Sequence, residues 1–228
     1  MSLRRSKQTK NISNRKPVVH IAGAIGSGKS TLAADLKKRH PRKLYIADLD
    51  DLFETFRSKH RSFSPEAYQL YLHNYIESHS KRPLVLVGVN GDMGHSDRLY
   101  DLNATHLYFL DVPVRENARR QFLRDYRSNI NDFFLNASNW FPEPVKLSKK
   151  DRPEDIIFSE WEKDETFHTK RLGEVFREMS PSRLEGQIKK TRQRYRRLKY
   201  KFATKEEIMR ELPSILGLSS SRKRRRSN

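Results

Sequence analysis

The residues with the clearest chemistry form the run Gly23–Ser30, which has the pattern G-x-x-x-x-G-K-S. Glycines allow positive φ and let successive backbone N–H groups point at one anion, so this pattern is typical of a Walker A phosphate-binding loop. In such a loop the lysine reaches the β- and γ-phosphates of ATP or GTP, and the serine hydroxyl binds Mg²⁺. The predicted nucleotide-binding residues are Gly23, Ala24, Ile25, Gly26, Ser27, Gly28, Lys29, Ser30 and Thr31.

A cluster of carboxylates, Asp48, Asp50 and Asp51, follows the short apolar run 44–47. An aspartate at the end of a strand can accept a proton from a hydroxyl group or hold a metal ion through water. Alternate residues of an extended segment point the same way, so we predict that Asp48 and Asp50 act together, with Asp50 also near Mg²⁺. The alternative is that the cluster caps a helix over residues 52–58.

These groups need elements that hold them in place, and the apolar pattern supplies such elements. Short apolar strands alternate with amphipathic helices, which predicts an α/β fold with a parallel sheet and helices on both faces. Ligands bind such sheets at the carboxyl ends of the strands, so the loops after the first three strands should converge on one cleft. The predicted strands are 18–22, 44–47, 84–89 and 107–110, and the predicted helices are 29–40, 65–80 and 115–136.

The remaining chain divides by composition. We predict a disordered basic arm over 1–16, a P-loop domain over 17–218 and a basic tail over 219–228. Within the domain, the core is 17–137, a Pro- and charge-rich lid or insertion covers about 138–182, and a basic helical segment covers 183–201. A short last strand at 200–203 and a helix capped by Thr204 would follow. The fold therefore carries a mostly helical basic C-terminal extension.

The run Gly23–Leu32 (GAIGSGKSTL) resembles the loop of nucleoside and nucleoside-monophosphate kinases. The resemblance covers roughly residues 17–137. It implies transfer of the γ-phosphoryl group of ATP to a small acceptor, a nucleoside or nucleotide, with Mg²⁺ and with Lys29 as a catalytic residue. The Asn-Lys-x-Asp run that specifies guanine in small GTPases does not occur in the sequence, although the choice between ATP and GTP stays open.

A second similarity lies in the run Leu110–Pro113, which precedes a predicted arginine-rich helix. Kinases of this group often have a hydrophobic strand, an Asp-x-Pro sequence and an arginine-rich helix that leads into the lid. The resemblance implies that Arg119 and Arg120 neutralise charge on the transferred phosphoryl group. The alternative is a solvated helix face on which the arginines pair with Glu116 and Asp125.

Two further aspartates are candidate ligands for the metal or the acceptor. Asp111 follows an apolar strand as in a Walker B motif, but its position after the fourth strand argues against a metal role. Asp92, after the third strand, is a candidate acceptor ligand or a simple turn residue.

The acceptor is not defined by the motifs. Residues 91–100 (GDMGHSDRLY) do not match the acceptor-binding patterns of thymidylate, adenylate or guanylate kinases. A second hypothesis is a polynucleotide 5′-hydroxyl kinase, since those enzymes resemble this chain in the loop and in an acidic cluster like Asp48–Asp51. A third is a non-enzymatic, nucleotide-dependent nucleic-acid-binding protein in which the loop acts as a switch.

Charge is concentrated in three segments. The net charge of the chain is +19, and all of it is accounted for by residues 1–16, 183–201 and 222–226. Such segments attract phosphate-rich polymers, so nucleic acid is a possible partner; general solubility is the alternative. No apolar run approaches the roughly 20 residues that cross a bilayer. With no cysteine and an RKRRR tail, we expect an intracellular protein without a membrane partner, cytoplasmic or nuclear.

Overall fold

The computed structural model describes residues 16–91, 99–128, 162 and 180–218. The predicted basic arm, nearly all of the predicted lid, Asp92 and the basic tail lie outside the described residues. In the described part of the chain, no helix combines the length and the apolar character that crossing a bilayer requires.

The centre of the fold is a five-stranded parallel sheet with the strand order β2-β3-β1-β4-β5. β3 pairs with both β1 and β2, and its Val87 is in register with Ile21 and with Asp48. The carboxyl ends of these three strands therefore lie at one edge. The predicted α/β class is confirmed. The strands are β1 Val18–Ala22, β2 Tyr45–Asp48, β3 Leu84–Val87, β4 His106–Leu110 and β5 Lys201–Ala203.

Six helices are described, and several begin at residues that favour a helix start. Ser64 caps α3 by accepting a hydrogen bond from the N–H of Ala67, and Pro65 occupies the first turn, as predicted. The basic segment forms α5, which begins at a proline and ends before a short strand. The helices are α1 Lys29–Arg39, α2 Leu49–Lys59, α3 Pro65–Ser78, α4 Val114–Ser128, α5 Pro181–Arg197 and α6 Lys205–Ile215.

The chain divides into two compact units. The first contains the described residues of 1–21, 30–108 and 206–228, and its core packs α2 and α3 on one face of β2 and β3. Leu84 and Leu86 share that face because side chains alternate along a strand. Every residue of β3 is buried, so its other face is covered as well. This explains why the strand is a continuous apolar run.

The second unit contains residues 22–29 and the described residues of 109–205. Here α4 packs against α5. Tyr195 of α5 is fully buried and lies 5.2 Å, centroid to centroid, from the ring of Phe109. Phe109 in turn stacks on Phe202 of β5 at 4.6 Å. The basic segment is therefore anchored by an aromatic cluster and is part of the folded unit.

Gly88, directly after β3, lies where two strand ends approach closely. Its φ is +127°, a value that side chains disfavour. A Cβ at this position would lie 3.1 Å from Oδ1 of Asp48 and from Cβ of Leu49. The predicted third strand ran to residue 89, but it ends at Val87 because the backbone turns at this glycine.

Candidate functional site

The phosphate-binding loop lies in the second unit, between the end of β1 and the first residue of α1. Gly26 and Gly28 have φ values of +79° and +93°, which glycine adopts without strain. The N–H of Ser27 donates to the carbonyl of Ala24 at 3.1 Å and closes a tight turn. The predicted strand–loop–helix context of the motif is thus present.

The Lys29 side chain folds back onto this loop. Its Nζ donates to the carbonyl oxygens of Gly23, at 2.9 Å, and Ala24, at 3.1 Å. The residue is only half-buried, so a lysine ammonium is held at the loop where an anion can reach it. This arrangement fits a phosphate group, for which lysine serves as a point charge.

Ser27 adds a second sign that the loop is built around a polar ligand. The residue is 4% exposed, and its Oγ has no hydrogen-bond partner. A Cβ placed on Gly23 would lie 2.5 Å from that oxygen, which means that the hydroxyl points into the turn. Buried hydroxyls are nearly always paired, so an unpaired one inside a phosphate-loop motif is consistent with a ligand-binding role.

Helix α4 contacts the phosphate-binding loop through two of its residues. Nδ2 of Asn117 donates to the carbonyl of Ile25 at 2.7 Å. A Cβ on Gly26 would lie 3.0 Å from the backbone N of Gln121, so the helix backbone and the loop are nearly in contact. Sequence reasoning missed Asn117 and Gln121. The available signal was a pair of amides four residues apart in a predicted arginine-rich helix.

The two predicted catalytic arginines lie on different sides of α4. At about 100° per residue, Arg119 is about 200° around the helix from Asn117, the residue that contacts the loop. It shares a side with Arg115, which pairs with Glu185 of α5 at 3.0 Å. The role of Arg119 at the phosphoryl group stays a prediction.

Arg120 lies about 60° from Asn117 around the helix. It is exposed and pairs with Glu116 at 2.9 Å, as in the solvated-face alternative. A catalytic role for Arg120 stays a prediction.

The Walker B-like aspartate has a structural partner. Asp111 forms an ion pair with Arg192 of α5, and the same guanidinium group donates to the carbonyl of Val112 at 3.1 Å. The Arg192 guanidinium also lies over the ring of Phe202, 5.3 Å from its centroid. Asp111 therefore holds α5 against the end of β4.

The acidic cluster lies in the first unit, and Asp48 and Asp50 occupy different structural positions. β2 extends to Asp48, and α2 begins at Leu49. Asp48 has extended backbone and caps α2, with Oδ1 accepting from the N–H of Asp50 at 3.0 Å. The prediction that Asp48 and Asp50 share one extended segment is wrong, because Asp50 already lies in the first turn of the helix. The capping alternative is correct for Asp48.

Asp50 lines a pocket at the carboxyl edge of β3. The side chains around it come from four segments of the first unit, and three of the nine lining residues are aromatic. Centroids of the Tyr68 and Tyr100 rings are 4.9 Å apart in an edge-to-face arrangement. The pocket is lined by Leu49, Asp50, Phe53, Tyr68, Leu72, Val89, Asn90, Gly91 and Tyr100.

Hydrogen bonds fix the walls of this pocket. Asn90 donates through Nδ2 to the carbonyl of Tyr100 at 2.8 Å and accepts from the N–H of Tyr100 at 3.1 Å. The hydroxyl of Tyr68 donates to the carbonyl of Leu49 at 3.3 Å. Burial raises the pKa of Tyr68, and the nearby Tyr100, Tyr71 and Asp50 raise it further. Tyr68 is thus a neutral wall residue, and Asp50 is the acidic side chain among the lining residues.

The predicted Mg²⁺ ligands are Ser30 and Asp50. Ser30 is exposed in the first turn of α1, and Asp50 is exposed at its pocket. Among residues 16–91, 99–128, 162 and 180–218 there is no group of three or more histidine or acidic side chains that would hold a metal alone. Mg²⁺ beside a nucleotide usually has one or two protein ligands and completes its shell with water and phosphate oxygens. A hydroxyl and a carboxylate are oxygen donors of the kind that this mode uses, and Ser30 and Asp50 stay the predicted ligands.

These features define an α/β protein with a P-loop fold. No protein-family model matches the chain, and no curated protein is similar to it. Among solved structures, the APS kinase of Mycobacterium tuberculosis in complex with AMPPNP and APS is 20% identical, with 64% of this chain and 95% of that chain covered and a TM-score of 0.33. The protein APE1195 is 16% identical, covering 64% of this chain and 93% of that one, with a TM-score of 0.32.

Proposed function

We propose that this protein is an ATP- and Mg²⁺-dependent phosphotransferase whose acceptor is a nucleoside or nucleotide. The observation that carries the proposal is the Lys29 ammonium, held by the carbonyls of Gly23 and Ala24 in a loop in which Gly26 and Gly28 have positive φ. Holding a long lysine side chain in one position costs conformational entropy, and contacts of an exposed lysine offset little of that cost. We therefore assign the fixed position of Lys29 to the binding of a phosphate chain.

In this proposal the loop binds the phosphoryl donor. Backbone N–H groups of the loop and the amino-terminal end of α1 would bind the phosphate oxygens. Lys29 would leave its two carbonyl partners, or share them, to contact the γ-phosphate. Ser30 would hold Mg²⁺, with Asp50 as a second ligand through water, and the metal when bound would neutralise charge on the phosphates.

Asp50 is proposed as the general base for the acceptor. The acceptor hydroxyl oxygen forms a bond to the γ-phosphorus, its proton goes to the Asp50 carboxylate, and ADP leaves as the bond to its β-phosphate oxygen breaks. Asp50 lines a pocket with Phe53, Tyr68 and Tyr100. Aromatic side chains and an amide are group types that contact a nucleoside. The cavity itself is about 10 Å³, so in this proposal the walls move apart when the acceptor binds. The predicted meeting of the loops after the first three strands stays a prediction.

The experiment that tests the function is a transfer assay with labelled ATP, Mg²⁺ and a panel of nucleosides, nucleoside monophosphates and 5′-hydroxyl oligonucleotides. We expect labelled product with at least one small acceptor. Replacing ATP by GTP in the same assay determines the donor base. If no acceptor is labelled and ATP is bound but not consumed, the proposed reaction is excluded and the nucleotide-switch hypothesis replaces it.

A second candidate is a polynucleotide 5′-hydroxyl kinase. The observation that favours it is a set of exposed cations on α5, Arg183, Lys190 and Arg197. In the same panel this candidate predicts label on oligonucleotides and none on free nucleosides. Transfer to free nucleosides alone would exclude it.

A further inference from the structure

Helix α5 presents different surfaces to the protein and to solvent. Leu184, Ile188 and Tyr195 are buried against the rest of the second unit. On the opposite side, Arg183, Lys190 and Arg197 are exposed. Residues seven apart differ by only about 20° around an α-helix, so these three cations form one row along the outer face. With a rise of about 1.5 Å per residue, the row is about 21 Å long.

α5 itself contains little negative charge that would offset the positive charge of this row. The helix contains one acid, Glu185, which lies toward α4 and pairs with Arg115 at 3.0 Å and Lys189 at 3.4 Å. Hydrogen bonding from Arg115, assisted by Lys189, keeps the pKa of Glu185 below its ordinary value, so it stays ionised and engaged with those two cations. The outer face of the helix therefore carries positive charge at neutral pH.

The row is held on a rigid support. Arg192, on the inner side of the helix, pairs with Asp111 and stacks over Phe202. Arg196 lies over the same ring, 5.1 Å from its centroid. Two arginines of α5 thus anchor the helix to β4 and β5. The exposed cations are presented in a fixed line, and Lys199 and Lys201, which follow the helix, are exposed as well.

We propose that the outer face of α5 binds the phosphate backbone of a nucleic acid. A straight row of cations matches a linear polyanion, and each contact releases condensed counterions. A membrane surface is disfavoured because amphipathic membrane helices need large apolar side chains beside their cations. Apart from the three cations, the exposed residues of α5 are Ser182, Gln187, Lys189, Gln193 and Arg196, and none of them has a large apolar side chain.

The test uses the full-length protein and a fluorescent duplex of about 20 base pairs, with the dissociation constant measured by anisotropy over a range of salt concentrations. The variant carries Arg183→Gln, Lys190→Gln and Arg197→Gln. We expect binding to weaken about tenfold or more. The plot of the logarithm of the association constant against the logarithm of the salt concentration has a negative slope. This slope should become less negative by about 0.9 for each phosphate that no longer contacts a cation.

The control removes three exposed cations elsewhere, with Lys37→Gln, Lys38→Gln and Lys59→Gln. Both triple variants keep residues 1–16 and 222–226, so their difference isolates α5 from the other basic segments. Equal affinity and equal salt slope for the two variants would overturn the proposal. The double variant Lys190→Gln and Arg197→Gln, which keeps Arg183, is measured too, and thermal unfolding verifies that each variant is folded.

Two further measurements complete the test. Vesicles with anionic lipid are offered to the same proteins, and α5-dependent binding to vesicles without α5-dependent binding to DNA would also overturn the proposal. Transfer to a free nucleoside is followed in parallel. Unchanged transfer with weakened DNA binding supports a nucleic-acid surface that is independent of the proposed reaction.

Discussion

In the phosphate loop, backbone atoms and one lysine make most of the relevant contacts, whereas the pocket at Asp50 is lined by side chains from four separate segments. The loop keeps its shape through Gly26, Gly28 and a hydrogen bond from Asn117. The pocket depends on where β2 ends, how α2 and α3 pack and how Asn90 holds Tyr100. A binding site built from backbone atoms depends on the identity of few side chains. A binding site lined by side chains can change its ligand specificity when one residue is substituted.

The largest effect is expected at Lys29. Replacing it with alanine removes the only cation of the motif, so phosphoryl transfer should fall by about 10³-fold or more, at least the loss that accompanies removal of an oxyanion-binding group. The assay is kcat with saturating labelled ATP and the best acceptor of the panel.

Lys37→Ala, an exposed change at the far end of α1, serves as the control and should leave kcat unaltered. If Lys29→Ala turns over like the control, the loop has no part in transfer.

Asp50 provides the corresponding test of the pocket. Asp50→Asn keeps the size of the side chain but removes the base, so kcat should fall by about 10²-fold, with little change in ATP affinity. Asp51→Asn changes the neighbouring exposed acid in the same turn of α2 and should have little effect. Equal losses in both variants would indicate a general effect of charge, and the pocket would no longer be assigned a base.

Gly26 tests how closely the loop depends on α4. Gly26→Ala adds a Cβ at positive φ, 3.0 Å from the backbone of Gln121. The strain should lower the free energy of unfolding by about 1–3 kcal/mol and weaken nucleotide binding. Gly186→Ala, in the middle of α5 with no atom within 4 Å of the added carbon, should instead stabilise by about 0.5–1 kcal/mol. Urea unfolding of the two variants makes the comparison.

Asn117 should have a smaller effect on the same loop. Asn117→Ala removes the donor to the carbonyl of Ile25, and an unpaired polar group of this kind costs about 1–3 kcal/mol when it is buried. We expect roughly tenfold weaker binding of a fluorescent ATP analogue, which corresponds to about 1.4 kcal/mol. Gln187→Ala, on the exposed face of α5, is the matched amide change. Equal affinities for both variants would show that the hydrogen bond does not shape the loop.

The smallest expected effect concerns the contact between α4 and α5. The hydrogen bond from Arg115 lowers the pKa of Glu185 from its ordinary value of 4.5. A lowered folded-state pKa means that the Glu185 contribution to stability is complete above about pH 4.5 and is lost as the pH falls through the folded-state value. The urea midpoints of wild type and Glu185→Gln should therefore converge in acid. Glu54→Gln, an exposed change on α2, should show no such convergence.

The sequence was most informative where one local pattern requires one local structure. The motif at Gly23–Ser30 requires a strand before it and a helix after it, and β1 and α1 are found there. Apolar runs also located the strands to within one or two residues, because buried parallel strands leave little choice of composition.

The acidic cluster shows where such reasoning failed. Whether Asp50 is extended or helical depends on a strand end shifted by a single residue, and propensity does not determine that boundary. The ion pair of Asp111 with Arg192 joins residues far apart in the chain, so no local pattern could predict it.

By itself the sequence determined the α/β class, the phosphate-binding loop and the basic character of the segment that forms α5, since each follows from local backbone preference, apolar periodicity or charge. The tertiary structure decided that Asp48 is a helix cap and Asp50 a pocket residue, that Asp111 pairs with Arg192, and that Asn117 supports the loop. These assignments depend on which faces of the helices meet, and that follows from packing between distant parts of the chain.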